Sequence, residues 1–97
     1  MIEQKRGWYH IFDGQGKKVK TLSDSIGELV GFSSDFFITH KNGWYYLLDE
    51  TGKKYKTLSD SIGQIVSVTG DTFVAQKNGW SYTFDRFGKK ISTRSAR

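Results

Sequence analysis

The chain repeats itself every 36 residues, and this period limits the folds that it can adopt. A tryptophan that follows a glycine recurs at constant spacing, as Trp8, Trp44 and Trp80. Residues 7–42 and 43–78 are identical at 20 of 36 positions. A period of this size is typical of arrays in which one supersecondary unit stacks on the next. The repeat therefore says more about architecture than about chemistry.

Each repeat contains four short segments that are typical of β-strands. In the second copy they cover residues 36–40, 44–48, 53–58 and 62–68, all of which are rich in β-branched, aromatic or aliphatic residues. The Asn42-Gly43 pair predicts a hairpin turn with positive φ. The segment Asp49–Gly52 predicts a second turn, in which the aspartate accepts backbone hydrogen bonds. No stretch has helical periodicity, so we expect an all-β chain.

The phase of the repeat divides the chain into unequal units. We predict one domain with units at 1–36, 37–72 and 73–97, the last of which lacks its fourth strand. Three units of four strands, less one, give eleven strands. A four-stranded antiparallel meander in tandem is the plan of a propeller blade, and known propellers have about four to eight blades. We therefore expect two chains to close one ring as a homodimer. A monomeric barrel of the β-trefoil type is the alternative.

Composition sets further bounds on location and partners. The chain has no cysteine, no apolar N-terminal segment typical of a signal peptide, and no apolar run long enough to cross a membrane as a helix. These features favour a soluble, cytoplasmic protein. The net charge of +5 is compatible with nucleic acid, acidic protein or anionic lipid as a partner. A solvated basic surface that keeps the protein soluble explains the same charge.

The second unit resembles the bacterial WG-type β-repeat proteins. The resemblance rests on the string KNGWYYLLDETGKKYKTL at 41–58: a Lys-Asn-Gly turn, a strand that begins with Trp44, an Asp-x-x-Gly-Lys turn and a following strand. In this chain tyrosine, rather than the family's glycine, follows the tryptophan in the first two copies. The resemblance implies a non-catalytic repeat module whose function is poorly defined.

The titratable residues do not form a pattern typical of an enzyme or a metal site. The two histidines, His10 and His40, have no cysteine nucleophile and no metal-ligand spacing around them. The recurring Asp13, Asp49 and Asp85 all fall in predicted turns, where a carboxylate has a structural role. The segment Ser23–Gly27 lacks the paired carboxylates of a calcium loop. We therefore expect no catalysis, no cofactor and no bound metal.

The aromatic residues that open the second strand of each unit are candidates for ligand binding. Repeated tryptophans with adjacent tyrosines suit a lectin-like site for carbohydrate or cell-wall polymer, because rings stack on sugars. The candidates are Trp8, Trp44, Trp80, Tyr9 and Tyr45. The alternative is that each tryptophan is packed between neighbouring blades.

Lysines that follow the second turn of each unit are candidates for anion binding. Lys18 and Lys20 are predicted to share one strand face, as are Lys54 and Lys56. Stacked units would align them into a basic stripe beside exposed tyrosines, an arrangement that binds single-stranded nucleic acid. The candidates are Lys18, Lys20, Lys54, Lys56 and Lys90. Lysines on strand edges also discourage aggregation, which is the alternative explanation.

Taken together, these features predict a non-catalytic β-repeat module with a structural or protein-interaction role. It is expected to assemble with itself and to bind an unidentified protein partner. Carbohydrate binding through the tryptophans and nucleic-acid binding through the lysines stay open as alternatives. No membrane partner is expected.

Overall fold

The computed structural model is an all-β chain of eleven short strands. It describes residues 2–33 and 35–95, without the side chain of residue 24, so the outer ends of the first and third predicted units lie outside it. The strands are β1 (Ile2–Lys5), β2 (Trp8–Phe12), β3 (Lys18–Ser23), β4 (Glu28–Phe32), β5 (Phe36–Lys41), β6 (Trp44–Asp49), β7 (Lys54–Ser59), β8 (Gln64–Thr69), β9 (Thr72–Lys77), β10 (Trp80–Asp85) and β11 (Lys90–Ser95). Two 3-10 turns, Asp24–Ile26 and Asp60–Ile62, follow β3 and β7. The all-β fold and the number of strands are as predicted.

The strands form three separate antiparallel sheets in meander order. The first sheet is β1-β2-β3, the second β4-β5-β6-β7 and the third β8-β9-β10-β11. In the division predicted from the sequence, the last unit lacks one strand. In the structure, the sheet with only three strands is the first one. The reason is that β4 and β8 pair with the strand that follows them, β5 and β9, rather than with the strand before them. Three separate meanders are not the arrangement of a β-trefoil.

The turns confirm the predicted backbone chemistry. Asn42 and Gly43 have φ of 53° and 85°, as an Asn-Gly hairpin requires. Arg6 takes the same left-handed conformation at the first hairpin, with φ of 53°. The Asp49 Oδ1 accepts hydrogen bonds from the Thr51 and Lys53 amides at 2.9 and 3.0 Å. Burial raises the pKa of Asp49, but the bonds from the Thr51 hydroxyl and these amides outweigh it and lower the pKa below its ordinary value.

The side chains between the sheets form two apolar clusters. The first joins the first and second sheets around Tyr9, Ile11, Phe37 and Leu48. The second joins the second and third sheets; its buried members are Phe36, Ile38, Tyr45, Leu47, Ile65, Phe73, Ala75 and Phe84. The second sheet therefore supplies apolar residues from both of its faces, which explains why alternation along β6 is weak.

A register shift changes the face on which side chains of the last strand of each sheet lie. In β7, Lys56 pairs with Leu47 while Lys54 pairs with Leu48, so Tyr55 is an extra residue in a β-bulge. Equivalent shifts occur in the first and third sheets, around Val19 and Ile91. Because of these shifts, two residues that are two apart and lie on either side of the bulge do not share a face.

Candidate functional site: two lysine-lined clefts

A cleft of about 390 Å³ opens between the first and second sheets. Its walls come from the 3-10 turn after β3, from the hairpin between β5 and β6, and from one face of the second sheet. The lining residues are Ser25, Ile26, Lys41, Asn42, Tyr46, Leu48, Gly52 and Lys54. Alternation along β6 places Tyr46 and Leu48 on this face together with Trp44.

A second cleft, of about 350 Å³, opens between the second and third sheets. It is lined by Ser61, Ile62, Lys77, Tyr82, Phe84, Gly88 and Lys90. Each of these residues lies 36 positions after a lining residue of the first cleft, so the two sites are copies of one design. The main difference is Phe84, an aromatic residue where the first cleft has Leu48.

Each cleft is lined by two lysines, and one of them holds its ammonium group over an aromatic ring. The Lys54 Nζ lies 4.9 Å from the ring centroid of Tyr46, and the Lys90 Nζ lies 5.2 Å from that of Tyr82. These distances are within the range of cation–π attraction. The lysine of the hairpin is also held in place, because the Lys77 Nζ donates to the Ser61 carbonyl at 2.7 Å. An ammonium has three donors, so each lysine keeps donors for a ligand.

The hairpin lysine of the first cleft is held in the same way. The Lys41 Nζ donates to the Ser25 carbonyl at 2.5 Å. The 3-10 turn that accepts this bond is itself closed by its own side chains, since the Ser25 amide donates to the Ser23 Oγ at 3.2 Å. The turn thus fixes the position of a cleft lysine.

The described side chains that line the clefts are positively charged or uncharged. Neither set of lining residues includes an aspartate or a glutamate. The His40 Nε2 and the Asp60 Oδ2 are 3.0 Å apart, and neither residue belongs to the lining of these two clefts. The arrangement therefore favours an anion that also carries an apolar or aromatic group.

The corresponding face of the first sheet has no neighbouring sheet among the described residues. Lys5, His10 and Lys18 occupy the positions of Lys41, Tyr46 and Lys54 there. Because no second wall faces them, they form an open surface rather than a cleft.

The three tryptophans lie at the margin of these surfaces. Trp8, Trp44 and Trp80 are 49%, 47% and 48% exposed, so the alternative in which they are packed between sheets is wrong. Trp44 pairs across the hairpin with Lys41, and Trp80 pairs with Lys77. Each of these indoles thus lies beside a cleft lysine. The structure keeps the tryptophans as candidates for ligand contact.

Tyr9 and Tyr45 are not exposed, contrary to their proposed role in stacking on a ligand. They are 0% and 6% exposed, because alternation along the strand turns them to the face opposite the tryptophans. The Tyr9 hydroxyl donates to the Gly27 carbonyl at 2.8 Å and accepts from the Leu29 amide at 3.0 Å. The Tyr45 hydroxyl donates to the Gly63 carbonyl at 2.8 Å. Both tyrosines therefore fix the segment that leads into the next sheet.

The candidate lysines are separated by the β-bulges. Lys54 and Lys90 line the clefts, and Lys18 lies on the open face of the first sheet. Lys56 and Lys20 pair with Leu47 and Ile11, and so lie on the opposite face of their strands. The prediction that Lys18 and Lys20, or Lys54 and Lys56, share a face is wrong. The reason is the extra residue in each bulge, for which the sequence has no strong signal.

A further cavity of about 280 Å³ lies between the second and third sheets and has a different character. It is lined by Asp35, Asp49, Glu50, Tyr55, Arg86 and Phe87. The Tyr55 hydroxyl donates to the Arg86 carbonyl at 2.5 Å, and its ring meets that of Phe87 edge-on. Burial raises the pKa of Tyr55 to about 12, against the lowering effect of Arg86.

Sequence reasoning missed four residues of the clefts: Lys41, Lys77, Tyr46 and Tyr82. A signal was present, because alternation along a strand places Tyr46 on the same face as Trp44. What the sequence did not reveal is that the hairpin lysine and the lysine after the second turn converge on that face.

Two structural findings concern other site types. Among the described residues, no group of three or more His, Cys, Asp or Glu side chains could hold a metal ion. No helix in the described ranges is long and apolar enough to cross a membrane. Comparison with known proteins adds no assignment: no family model, curated protein or solved structure matches this chain.

Proposed function

We propose that this chain is a non-catalytic β-repeat module that binds an acidic, partly apolar segment of a partner protein in its two clefts. The observation that carries the proposal is the repetition of one lysine–tyrosine design in both clefts, without a carboxylate in either lining. A repeated site suits a ligand with repeated features, such as an extended peptide.

The ligand chemistry follows from the lining groups. A carboxylate side chain gains charge-assisted hydrogen bonds from the lysine ammoniums, and these bonds are stronger than neutral ones. An adjacent aromatic or aliphatic side chain gains contact with Tyr46 and Leu48 in one cleft, or with Tyr82 and Phe84 in the other. A partner segment that alternates acidic and apolar residues satisfies both requirements.

Nucleic acid is a weaker candidate on two grounds. The tyrosines expected to stack on bases, Tyr9 and Tyr45, are buried. The lysines expected to follow a phosphate backbone as one stripe are divided between two strand faces. A phosphate backbone needs a continuous basic surface for counterion release along its length. We therefore favour protein as the partner class and keep nucleic acid as an outcome of the test.

Fluorescence anisotropy with three labelled probes tests the proposal. The probes are a short peptide in which glutamate alternates with phenylalanine, single-stranded oligo-dT and an oligouronate. We expect the peptide to bind most tightly and its affinity to fall as salt is raised, since exposed charges are screened. The double variant Lys54→Glu/Lys90→Glu should weaken peptide binding at least tenfold.

The double variant Lys20→Glu/Lys56→Glu is the matched control. It changes the net charge equally, but neither lysine is among the residues that line the clefts, and the bulges turn both away from the strand faces of Lys18 and Lys54. The proposal is contradicted if both double variants weaken binding equally, or if oligo-dT or the oligouronate binds more tightly than the peptide.

Carbohydrate binding through the tryptophans is a second candidate, favoured by the half-exposed indoles of Trp8, Trp44 and Trp80. Neutral oligosaccharides should shift the tryptophan emission if they stack on these rings. The variant Trp44→Ala should then lose binding that Lys54→Glu leaves intact. Emission that does not change with any neutral glycan eliminates this candidate.

We further propose that the module acts in the cytoplasm, for which its lack of cysteine is the support. Self-assembly into a dimeric ring stays a prediction from the sequence, and a single open array of three sheets is the alternative to it.

A further inference from the structure

The first sheet has an open edge where the other two sheets carry a strand. β1 corresponds to β5 and β9, and these pair with β4 and β8 on their outer side. Within residues 2–33 and 35–95, no strand pairs with that side of β1. An unpaired edge presents backbone N–H and C=O groups that template another strand.

By the equivalence of the repeats, an exposed aromatic ring lies beside the place that a strand added to this edge would take. Phe32, the last residue of β4, is on the face of the second sheet that packs against the first, yet it is 48% exposed. Its counterpart in the third sheet, Val68, is partly buried against the second cluster. Val68 is covered because it packs on Gly31 of β4, where an added Cβ would lie 2.4 Å from the Val68 Cγ2. Phe32 has no such strand beside it.

We infer that the β1 edge and Phe32 form a docking site for an extended segment of a partner protein, which adds to the first sheet as an antiparallel strand. The site is distinct from the lysine clefts. The chain itself shows what fits, since β4 and β8 fill the equivalent positions with Glu28–Phe32 and Gln64–Thr69. Their shared pattern is an aliphatic residue at the second position, valine at the third and glycine or serine at the fourth.

The register defines the fourth position of the incoming segment. Gly31 pairs with Ile38, whose counterpart in β1 is Ile2. Phe32 lies 36 positions before Val68, and Val68 packs on Gly31, the fourth residue of β4. The fourth residue of the added strand is therefore expected to pack against Phe32. Phenylalanine is larger than valine, so this residue must be glycine.

The register also defines the second position. Leu29 pairs with Thr39, whose counterpart in β1 is Glu3. Glu3 lies on the open face of the first sheet and is exposed. Cross-strand pairs of opposite charge stabilise a sheet. The partner segment therefore carries lysine or arginine at its second position, followed by valine and glycine.

A labelled peptide with the sequence of residues 26–33 is the first probe, and peptides with one further change test the register. We expect the Leu29→Arg peptide to bind about two- to fivefold more tightly than the parent, the range expected for one cross-strand charge pair. The Gly31→Val peptide should bind at least tenfold more weakly. Backbone amide shifts should appear in β1 and not in β11, the edge at the other end of the array.

Variants of the full chain supply the reciprocal test. Glu3→Lys should reverse the preference, so that the Leu29→Glu peptide binds more tightly than the Leu29→Arg peptide. Phe32→Ser should weaken binding of both peptides. Val66→Ser is the control, because Val66 is equally exposed, at 48%, but lies in the third sheet. The inference is overturned if the Gly31→Val peptide binds as well as the parent, if shifts map to β11, or if no peptide binds.

Discussion

Two tyrosine hydroxyls connect neighbouring sheets through the backbone. Tyr45 of the second sheet donates to the Gly63 carbonyl, just before the third sheet begins. The third repeat has Ser81 at this position, and its hydroxyl accepts from the Gln76 amide group within its own sheet. This position is thus tyrosine in the first two repeats, each of which is followed by another sheet, and serine in the third. The departure of Ser81 from the repeat has a structural reason.

Removing this hydroxyl should cost stability. We expect Tyr45→Phe to lower the free energy of unfolding by about 1–3 kcal/mol, because partly buried backbone groups lose their partner. Tyr82→Phe is the control, since the Tyr82 hydroxyl makes no hydrogen bond with the described residues; its effect should stay within about 0.5 kcal/mol. Urea unfolding measures both. Equal losses in the two variants would contradict the role of the Tyr45 hydroxyl.

The buried hydroxyl of Tyr55 predicts a loss of stability at alkaline pH. Its pKa is about 12 in the folded chain, above the ordinary value of about 10. Between these values the unfolded chain releases the proton and the folded chain keeps it, so the free energy of unfolding falls as pH rises. Below pH about 10 this contribution is fully present.

Urea unfolding from pH about 9 to about 12 measures the effect. Tyr55→Phe should be less stable at neutral pH, through loss of the bond to the Arg86 carbonyl, and should lose less stability than the parent chain over this range. A parallel decline in both chains would show that Tyr55 does not cause it.

At the scale of elements, the second turn of the second sheet, like that of the third, packs against the sheet before it. Gly52 has φ of 88°, and a Cβ there would lie 2.5 Å from the Ile11 Cδ1 and 2.9 Å from the Leu22 Cδ1. Gly16, in the same turn of the first sheet, has φ of 80° and no atom within 4 Å of an added Cβ. The two glycines share backbone strain and differ in packing.

This pair isolates the packing contribution. At either position alanine should lower the free energy of unfolding by about 1–2 kcal/mol, because its Cβ disfavours the left-handed backbone conformation. Gly52→Ala should cost about 1–3 kcal/mol beyond that, because the core around Ile11 must move. Denaturant midpoints of the two variants give the difference. A Gly16→Ala variant as unstable as Gly52→Ala would show that packing of the turn contributes nothing.

Local patterns predicted the elements well and their association less well. Strand positions, the Asn42-Gly43 hairpin and the Asp49 turn follow from short-range chemistry that the sequence displays. The pairing of β4 with β5 crosses the repeat boundary and depends on which neighbour offers a complementary edge. The bulge at Tyr55 reverses the face of Lys56 through one extra residue, and the residue types around it do not mark it. The lysine clefts depend on both and could not be located beforehand.

At the scale of the whole molecule, the outer face of the third sheet differs from the equivalent face of the second. Four apolar positions of the second sheet are polar in the third: Phe36, Tyr45, Leu47 and Leu58 correspond to Thr72, Ser81, Thr83 and Arg94. Repeat arrays need a polar outer face on a terminal unit to stay soluble. Apolar faces at both ends of the array would favour closure into a dimeric ring, and this face is largely polar.

We therefore expect an open array of three sheets in dilute solution. Light scattering should give a mass of 11.1 kDa. A mass of twice that value would favour the dimeric ring, with the third sheet of one copy against the first sheet of the other. The variant Ser81→Tyr, which restores an aromatic residue to the outer face, should increase self-association.

The central claim is that the two clefts are equivalent binding sites, and the number of ligands per chain tests it most directly. Isothermal titration with a blocked Glu-Phe-Glu peptide, short enough to occupy one cleft, should give two ligands per chain. Lys54→Glu and Lys90→Glu should each give one, and Lys56→Glu should still give two. A stoichiometry that is the same in all four proteins, or binding that Lys56→Glu removes, would contradict the account.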